Sequence, residues 1–291
     1  MSEKVLKLGV PKGSLEGATF DLFAKAGFKI SDYGRSYFPR IDDDAIRLIM
    51  LRAQEMSRYV EDGVLDAGIT GYDWIVESSS DVKKVCELFY SKAGPNPARW
   101  VLAVPNESKV REPKDLQGGI IATELVNATR RYFEAKKINV KVEFSWGATE
   151  VKARLVDGIV ERTETGSTLR ANDLRIVDTV MTSTTRFIAN REAWKNKFKR
   201  QKIENIAILL NAAIDARARV GMKMNVKKAD IDKVLKILPA EKSPTVSPLA
   251  DTSYVAVEIV IEDEIERRLI PELKRAGASG IITYPLNKVI H

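Results

Sequence analysis

The segment from Asp157 to Arg170 has the residue types and the spacing of a phosphate-binding turn. It reads DGIVERTETGSTLR, an apolar strand core followed by a turn with hydroxyl side chains and one glycine. A helix is predicted to begin just after the turn, near Thr168–Asn172. Consecutive backbone N–H groups at such a turn form an anion nest, and the helix N-terminus adds positive potential. The segment therefore predicts a cradle for a phosphate group.

Within this turn, three hydroxyl groups can donate to phosphate oxygens, those of Thr165, Ser167 and Thr168. Gly166 lets the backbone approach a ligand closely. No Lys-Ser or Lys-Thr pair follows the glycine, which excludes a Walker A loop, and no G-x-G-x-x-G motif occurs in the right place. The predicted phosphate site is therefore of another kind.

Three carboxylates accompany the turn, those of Asp157, Glu161 and Glu164. Carboxylates beside a phosphate cradle are typical of a ligand that also carries ribose hydroxyl groups or Mg²⁺. This is the arrangement expected for a 5-phosphoribosyl group. The segment alone is equally compatible with a helix N-cap preceded by polar turn residues.

The inventory of cysteine and histidine excludes several kinds of chemistry. The 291 residues include one cysteine, Cys86, and one histidine, His291 at the end of the sequence. A Ser-His-Asp or Cys-His nucleophile system has no base, and a Cys/His zinc site cannot be assembled. Catalysis must then rest on carboxylates, Lys, Arg, hydroxyls, backbone amides or an oxygen-ligated metal. A single cysteine also forms no intramolecular disulfide, which agrees with a reducing compartment.

The elements that would position the turn alternate between strand-like and helix-like segments. This alternation predicts α/β lobes with parallel sheets covered on both faces. The breaker cluster AGPNP at 93–97 predicts a crossing between two lobes. The predicted strands are Lys4–Val10, Ile46–Leu51, Asp66–Thr70, Val101–Val104, Gly119–Thr123, Val140–Ser145 and Gly158–Val160, and the predicted helices are Ser14–Ala26, Glu55–Asp62, Tyr72–Ser78 and Asn127–Ala135.

The C-terminal part has a different order of elements. From residue 216 to residue 284 the pattern reads βαββαβ, which is the ferredoxin-like order. The predicted segments are the strands Ala216–Met224, Thr245–Leu249, Tyr254–Ile261 and Gly280–Tyr284 and the helices Asp230–Leu238 and Glu262–Ala276.

The positive charge of the chain is concentrated in one stretch. The net charge is +7, and the stretch from Arg186 to Lys236 holds 14 Lys and Arg against 5 Asp and Glu, which leaves −2 for the rest. Such a stretch could meet nucleic acid, and steeply salt-dependent DNA binding would support that alternative. We prefer a solvated helix face, because REAWKNKFKRQKIE spaces apolar residues as an amphipathic helix does. We therefore expect no nucleic-acid partner.

The N-terminus and the hydropathy pattern bear on location. MSEKVL lacks a basic region followed by an apolar run, and no apolar run approaches the length of a membrane span. We expect a soluble cytoplasmic protein with no membrane partner.

Several motifs together resemble one family. The phosphate turn resembles the phosphoribosyl-pyrophosphate motif of the ATP phosphoribosyltransferases, the first enzymes of histidine biosynthesis. Three further segments resemble motifs of that family, and the tail resembles the regulatory domain of its long form. These segments are LGVPKGSL at 8–15, Arg52–Asp73, Ile121–Phe133 and Ser243–Lys288. One departure is that Glu161 and Arg162 stand where the family usually has Asp and an apolar residue, which puts the role of Glu161 in doubt.

The resemblance implies an architecture and a reaction. Two lobes of periplasmic-binding-protein-like fold would enclose the active site, with lobe I at 1–95 and 186–212 and lobe II at 96–185. An ACT-like regulatory domain at 213–291 would bind histidine and inhibit. N1 of ATP would attack C1 of phosphoribosyl pyrophosphate with inversion and release pyrophosphate, and Mg²⁺ would be the cofactor. The family also implies a homo-oligomer, a dimer or a hexamer.

The resemblance also assigns residues. It implies phosphoribosyl-pyrophosphate binding by Asp157, Glu161, Thr163, Glu164, Thr165, Gly166, Ser167 and Thr168, with Asp157 and Glu161 holding Mg²⁺ through water. The predicted ATP or cleft residues are Lys12, Gly13, Arg52, Asp73 and Glu150, with Arg99, Arg130 and Arg131 as further cationic candidates. Asp73 could equally be a plain N-cap, and Glu150 is similarly open. The predicted histidine ligands are Ser243, Thr245, Ser247 and Asp251.

A different class of protein also fits the pattern. Two α/β lobes joined by a crossing build solute receptors and sensor domains that bind a small molecule without catalysis. Formation of an N1-alkylated adenine from ATP and phosphoribosyl pyrophosphate would distinguish an enzyme from such a protein.

Overall fold

The computed structural model describes residues 4–31, 36–90, 97–239 and 244–290. The chain divides into two compact units, one of residues 1–24 and 28–207 and the other of residues 25–27 and 208–291. Within the described ranges, no helix combines the length and the apolarity that crossing a membrane requires. The predicted histidine ligand Ser243 and most of the predicted crossing at 93–97 lie outside the described residues.

The first unit alternates strands and helices. In chain order its elements are β1 (Leu6–Lys12), α1 (Glu16–Ala26), β2 (Ile30–Ser31), β3 (Arg40–Ile41), β4 (Ile46–Arg52), α2 (Ala53–Glu61), β5 (Ala67–Gly71), α3 (Tyr72–Ser78), β6 (Lys83–Leu88), β7 (Ala98–Pro105), β8 (Ile120–Thr123), α4 (Val126–Ala135), β9 (Lys141–Phe144), α5 (Thr149–Lys152), β10 (Gly158–Thr163), α6 (Ser167–Ala171), β11 (Leu174–Ser183), β12 (Thr185–Ala189), α7 (Arg191–Lys195) and α8 (Lys197–Asp215), which runs on into the second unit.

Two five-stranded sheets define two lobes within this unit. The sheet of lobe I has the order β4-β1-β5-β12-β6, and that of lobe II has the order β11-β7-β10-β8-β9. The chain thus crosses from lobe I to lobe II between β6 and β7 and returns between β11 and β12. The predicted two-lobed α/β class is confirmed, whereas the predicted domain boundaries stay a prediction.

The prediction of purely parallel sheets is wrong, because both sheets are mixed. β1 pairs in parallel with β4 and β5, but β12 runs antiparallel to both β5 and β6. In lobe II, β8 pairs in parallel with β9 and β10, but β7 is antiparallel to β10 and β11. The antiparallel strands are β7 and β12, with which the chain enters each lobe after a crossing. Each begins at the edge where the neighbouring β10 or β5 ends and therefore runs in the opposite direction.

Each lobe has its own buried core. In lobe I, Met56 of α2 lies so close to the sheet that a Cβ on Gly9 or Gly68 would stand 2.3 or 2.7 Å from its sulfur. These two glycines therefore allow α2 to pack directly on β1 and β5. In lobe II, the fully buried Trp100 and Phe133 pack between the sheet and α4.

The second unit has the predicted ferredoxin-like fold. Its elements are β13 (Arg219–Lys227), α9 (Ile231–Ile237), β14 (Thr245–Pro248), β15 (Tyr254–Glu262), α10 (Asp263–Arg275) and β16 (Ser279–Pro285). The strand order is β14-β15-β13-β16, and all three pairings are antiparallel. The apolar alternation along β13 and β15 buries one face of this sheet together with residues of both helices.

The basic stretch after Arg186 is helical in part, as predicted, with a break at Asn196 between α7 and α8. The side chain of Asn190 accepts from the N–H groups of Glu192 and Ala193 and caps α7. Basic residues here form ion pairs within the unit, including Lys199 with Asp66 at 2.7 Å. These ion pairs neutralise part of the positive charge of this stretch.

Candidate active site

One cavity of about 690 Å³ lies between the two lobes. Lobe I contributes the carboxyl ends of β1, β4 and β5 together with the residues that follow them. Lobe II contributes residues of β7, β10 and β11 and the residue after β8. In open α/β sheets ligands bind outside the carboxyl ends of the strands, so this position is the one expected for a ligand.

Lys12 and Arg52 bring two positive charges to one wall of the cavity. They are the last residues of β1 and β4 and are paired in register, so their backbones are adjacent. β1 extends two residues past its predicted end at Val10, because Pro11 and Lys12 still pair with β4. The Lys12 Nζ lies 4.3 Å from the centre of the Tyr37 ring, a cation–π contact.

Helices α1, α2 and α3 begin at this same edge. Gly13 adopts a left-handed φ of 99°, which turns the chain from β1 toward α1, and its N–H donates to Glu16 Oε2 at 3.3 Å. Helix α2 begins directly after Arg52, and α3 begins directly after Gly71. Because helix N-termini carry partial positive charge, they reinforce the two cations. The wall formed by lobe I can therefore bind an anion at Lys12 and Arg52, although the carboxylates of Glu16, Glu55 and Asp73 line the same wall.

Asp73 lies at the floor of the cavity and is only 3% exposed. Its Oδ2 accepts from the Trp100 Nε1 at 2.7 Å, and its Oδ1 accepts from the Trp74 N–H at 3.0 Å. Its backbone N–H donates to the Ser183 Oγ at 3.0 Å. Both oxygens of the carboxylate are thus engaged by protein groups.

Lobe II places two carboxylates on the cavity, those of Glu161 and Glu124. Burial raises the pKa of Glu161, and the nearby Glu150 and Glu124 add to this effect, whereas the Thr149 hydroxyl and the Arg162 N–H oppose it. Burial also raises the pKa of Glu124, against the attraction of Arg52 and Lys152. Glu150 itself lies in α5 and does not line the cavity.

The predicted phosphate turn follows β10 directly. Gly166 has a φ of 75°, and its N–H donates to the Thr163 Oγ1 at 2.7 Å. The Thr165 and Ser167 hydroxyls are 2.9 Å apart. Helix α6 begins at Ser167, so Thr168 lies in its first turn. Glu164 pairs with Arg162, its Oε1 lying 3.3 Å from the Arg162 Nη2. The turn follows Glu161 and Arg162, which line the cavity, but residues 163–168 themselves are not among the lining residues.

Asp157 is placed apart from the rest of its predicted set. It precedes β10, and its Oδ2 accepts from the Ile120 N–H at 2.8 Å. Six strand residues separate it from the turn, a distance of about 20 Å at the rise of a β-strand. The cationic candidates Arg99, Arg130 and Arg131 do not line the cavity either.

Several residues that line the cavity were not predicted from the sequence. Glu124 is the first residue after β8, and Tyr37, Trp100 and Ser183 also line the cavity. Glu124 follows a strand in an α/β lobe, and that position alone could have marked it as a candidate.

Three of the predicted histidine ligands lie in the second unit. Thr245 and Ser247 are exposed on β14, two residues apart and thus on the same face of the strand. Asp251 follows the strand, and its Oδ1 accepts from the Ser253 N–H at 2.9 Å and from the Ser253 hydroxyl at 2.6 Å. The hydrogen bonds from Ser253 lower the pKa of Asp251.

Comparison with known sequences decides the family. A sequence profile described as ATP phosphoribosyltransferase matches residues 52–212, and a profile for the HisG C-terminal domain matches residues 216–288. The ATP phosphoribosyltransferase of Chlorobaculum parvum is 55% identical over 290 residues, which cover 99% of both chains. The chain belongs to the ATP phosphoribosyltransferase family. The ATP phosphoribosyltransferase of Thermodesulfovibrio yellowstonii is 54% identical over the full length of both chains.

A solved structure agrees with this family. The ATP phosphoribosyl transferase (HisG:HisZ) complex from Thermotoga maritima aligns with a TM-score of 0.62 and 28% identity, over 72% of this chain and 98% of that one. The prediction of an ATP phosphoribosyltransferase that acts in histidine biosynthesis is thereby confirmed, and the alternative of a non-catalytic binding protein is set aside. The profile for the C-terminal domain agrees with the predicted long form.

Proposed function

We propose that the cavity between the lobes is where N1 of ATP displaces pyrophosphate from C1 of phosphoribosyl pyrophosphate. One observation carries this assignment. The paired ends of β1 and β4 place Lys12 and Arg52 on one side of the cavity, and β10 presents Glu161 on the other side. A polyanion and a ribose can therefore be held face to face.

The wall formed by lobe I suits the polyphosphate groups. Both substrates are highly anionic and repel each other, so cations are needed wherever they meet. Lys12 and Arg52 supply full charges, and the starts of α1 and α2 supply backbone N–H groups and partial charge. These groups would hold the departing pyrophosphate and so stabilise the charge that develops as the C1–O bond breaks.

The turn after β10 suits the 5-phosphate of the ribose. Thr165, Ser167 and Thr168 are exposed and flank the buried Gly166, whose left-handed φ turns the chain at this point. Glu161, which precedes the turn and lines the cavity, would then accept hydrogen bonds from the ribose hydroxyl groups. The longer Glu side chain, compared with the Asp usual in the family, extends this acceptor further into the cavity.

The reaction requires positioning more than proton transfer. As the N1–C1 bond forms, the C1–O bond to pyrophosphate breaks, and the carbon inverts through a transition state with oxocarbenium character. No covalent enzyme intermediate is needed, in keeping with a cavity lined by Lys, Arg and carboxylates. Holding both reactants in line lowers the entropic part of the barrier.

The donor set fits Mg²⁺, the predicted cofactor. Glu161 and Glu124 are oxygen donors on the cavity wall, although no group of three or more metal-ligating side chains occurs among the residues that the structure describes. Mg²⁺ is commonly bound through one or two carboxylates, with water and substrate phosphates completing its shell. Glu161 would hold the ion through water, and the ion would supply charge neutralisation to the pyrophosphate oxygens. Asp157, the other predicted ligand, is instead engaged by the Ile120 N–H.

The second unit is the proposed site of histidine inhibition. The hydroxyl groups of Thr245 and Ser247 are exposed on β14, an edge strand of its sheet. Edge strands carry unpaired backbone groups that can pair with another chain, so this strand also suits assembly into the predicted dimer or hexamer. Histidine bound there could bias both assembly and activity.

A structure with phosphoribosyl pyrophosphate and Mg²⁺ tests the assignment directly. We expect the 5-phosphate at residues 165–168 and pyrophosphate at Lys12 and Arg52. In solution, formation of N1-alkylated adenine is followed by its ultraviolet absorbance. If substrate occupies neither the turn nor the cavity, the assignment is wrong.

A further inference from the structure

Helix α3 of lobe I contacts lobe II at two places, one on the wall of the cavity at Asp73 and one outside it at Glu77. The residues responsible, Asp73 and Glu77, are four positions apart on α3 and so lie on the same side of the helix. Each carboxylate accepts hydrogen bonds from a different element of lobe II.

The first contact joins α3 to the strands that connect the lobes. The carboxylate of the buried Asp73 accepts from the Trp100 indole of β7 at 2.7 Å. The backbone N–H of Asp73 donates to the Oγ of Ser183, the last residue of β11. Trp74 packs edge-on against Trp100, with ring centres 6.1 Å apart. Trp100 is paired with Arg162 across β7 and β10, so this contact bears directly on the strand that presents Glu161.

The second contact joins α3 to α4. The Glu77 carboxylate accepts from the N–H groups of Asn127 and Ala128, each at 2.9 Å. These N–H groups belong to the first turn of α4 and have no partner within that helix, so Glu77 caps α4 from the other lobe. In return, Arg131 of α4 donates to the carbonyl of Val76 and to the Ser79 hydroxyl in and just after α3.

The capped turn leads directly to the cavity. Glu124 on the cavity wall is three residues before Asn127, and the Leu125 N–H between them donates to the Thr123 Oγ1 at 3.0 Å. Fixing the start of α4 therefore fixes Glu124 relative to lobe I. Asp73 fixes Glu161 in the same way through β7 and β10.

We infer that Asp73 and Glu77 are positioning residues that hold lobe II in the geometry that both substrates require. The inference rests on the proposed substrate site. Since both substrates would lie between the lobes, loosening α3 lowers the population of the competent geometry. The apparent dissociation constants of both substrates then rise by the same factor.

The test is Glu77→Ala in the full-length enzyme, with amide hydrogen exchange and steady-state kinetics measured together. We expect faster amide exchange at Asn127 and Ala128. We also expect the KM for ATP and the KM for phosphoribosyl pyrophosphate to rise by the same factor, about five- to tenfold. Glu77→Gln, which keeps one acceptor oxygen, should restore part of the loss. A purely structural role would lower kcat through the folded fraction and leave both KM values unchanged.

Glu112→Ala is the matched control, because Glu112 caps a short 3₁₀-helix at Pro113–Leu116 with all partners inside lobe II. It should leave both KM values unchanged. If Glu77→Ala does not fold, Arg131→Met breaks the return contacts of α4 and carries the same expectation. Unchanged exchange at Asn127 and Ala128, or faster exchange with both KM values unchanged, would overturn the inference. Failure of the substrate site would show separately, as unaltered kinetics in Arg52→Met.

Discussion

Lys12 and Arg52 stand opposite each other as the last paired residues of two parallel strands. The pairing of β1 with β4 begins at Leu6 and Ile46 and runs without a shift to this pair. The same two strands carry a second basic pair, Lys7 opposite Arg47, near their other end. Lys12 and Arg52 line the cavity between the lobes, whereas Lys7 and Arg47 are exposed away from it. Lys7 and Arg47 can therefore serve as the control for Lys12 and Arg52.

The first prediction concerns this pair. Arg52→Met and Lys12→Met should each lower kcat/KM by about ten- to a hundredfold, the loss expected for a hydrogen bond to a charged group. Arg47→Met removes the same charge from the same strand at its other end and should have little effect. Steady-state kinetics with both substrates measures the difference. Equal losses in Arg47→Met and Arg52→Met would mean that net charge matters and the position of Arg52 does not.

The second prediction concerns the phosphate turn. In Gly166→Val, a branched side chain must adopt a left-handed φ of 75°, and its Cβ would lie 3.0 Å from the Arg170 guanidinium. We expect phosphoribosyl-pyrophosphate binding to weaken at least tenfold with the fold retained, because the strain of about 1–2 kcal/mol distorts the turn without unfolding the lobe. Titration calorimetry measures the binding.

Gly118→Val provides the matched control for this strain. Gly118 has a similar φ of 78°, lies in the same lobe and lies outside the phosphate turn. It should show a comparable loss of stability with normal affinity. Unchanged affinity in Gly166→Val would remove the turn from the substrate site.

The third prediction concerns pH and Glu161. Burial raises its pKa in the folded protein above the ordinary value of 4.5. The folded state therefore binds this proton more tightly than the unfolded state. The free energy of unfolding falls as the pH rises from the unfolded pKa of Glu161 to its higher folded pKa, and it stays lower above that range. Without substrate, Glu161→Gln should be more stable than the parent near neutral pH, and the difference should vanish as the pH falls below about 4.5.

Turnover of Glu161→Gln should move in the opposite direction and fall by about ten- to a hundredfold, because the ribose and the metal lose a charged acceptor. Denaturant unfolding at several pH values gives the stability, and the exposed Glu143→Gln is the control. A variant that loses stability at neutral pH while keeping turnover would assign Glu161 a structural role.

The fourth prediction concerns inhibition. The double variant Thr245→Ala/Ser247→Ala removes two exposed hydroxyl groups from one face of β14. We expect it to need several-fold more histidine for half inhibition, with turnover unchanged when histidine is absent. Val246→Thr alters the neighbouring residue on the other face of the strand and should respond normally. If millimolar histidine affects neither the rate nor the assembly of the parent enzyme, the inhibition proposal fails.

The sequence predicts the local elements better than their arrangement. Periodicity and turn residues locate β1, α2 and α3 to within a few residues, since these signals are local. The same signals miss β6, β11 and β12. β11 and β6 carry polar and charged residues along their length, and their partners come from distant parts of the chain. The antiparallel pairings around them follow from where the chain crosses between the lobes, which no short window of sequence contains.

The site shows the same division. Glu161, the phosphate turn, Lys12 and Arg52 lie in compact motifs with a chemical signature. Glu124 lies within the family-like segment Ile121–Phe133, where no role was predicted for it, and it reaches the cavity because β8 is paired beside β10. The partners of Asp73, Trp100 and Ser183, are 27 and 110 residues away from it, so sequence alone left open whether Asp73 was a cap or a nucleotide contact.

The position of β12 sets an order for synthesis of the chain. This strand, Thr185–Ala189, lies between β5 and β6, and among the strands that the structure describes it is the one that joins β6 to the lobe I sheet. Lobe II is continuous in sequence from β7 to β11. The lobe I sheet, by contrast, cannot be completed until β12 has been synthesised, which happens after lobe II. On the ribosome, lobe II can thus fold first, while β6 stays unpaired until residue 189 has emerged. A nascent chain stalled before that point should leave β6 open to proteolysis while lobe II is already resistant.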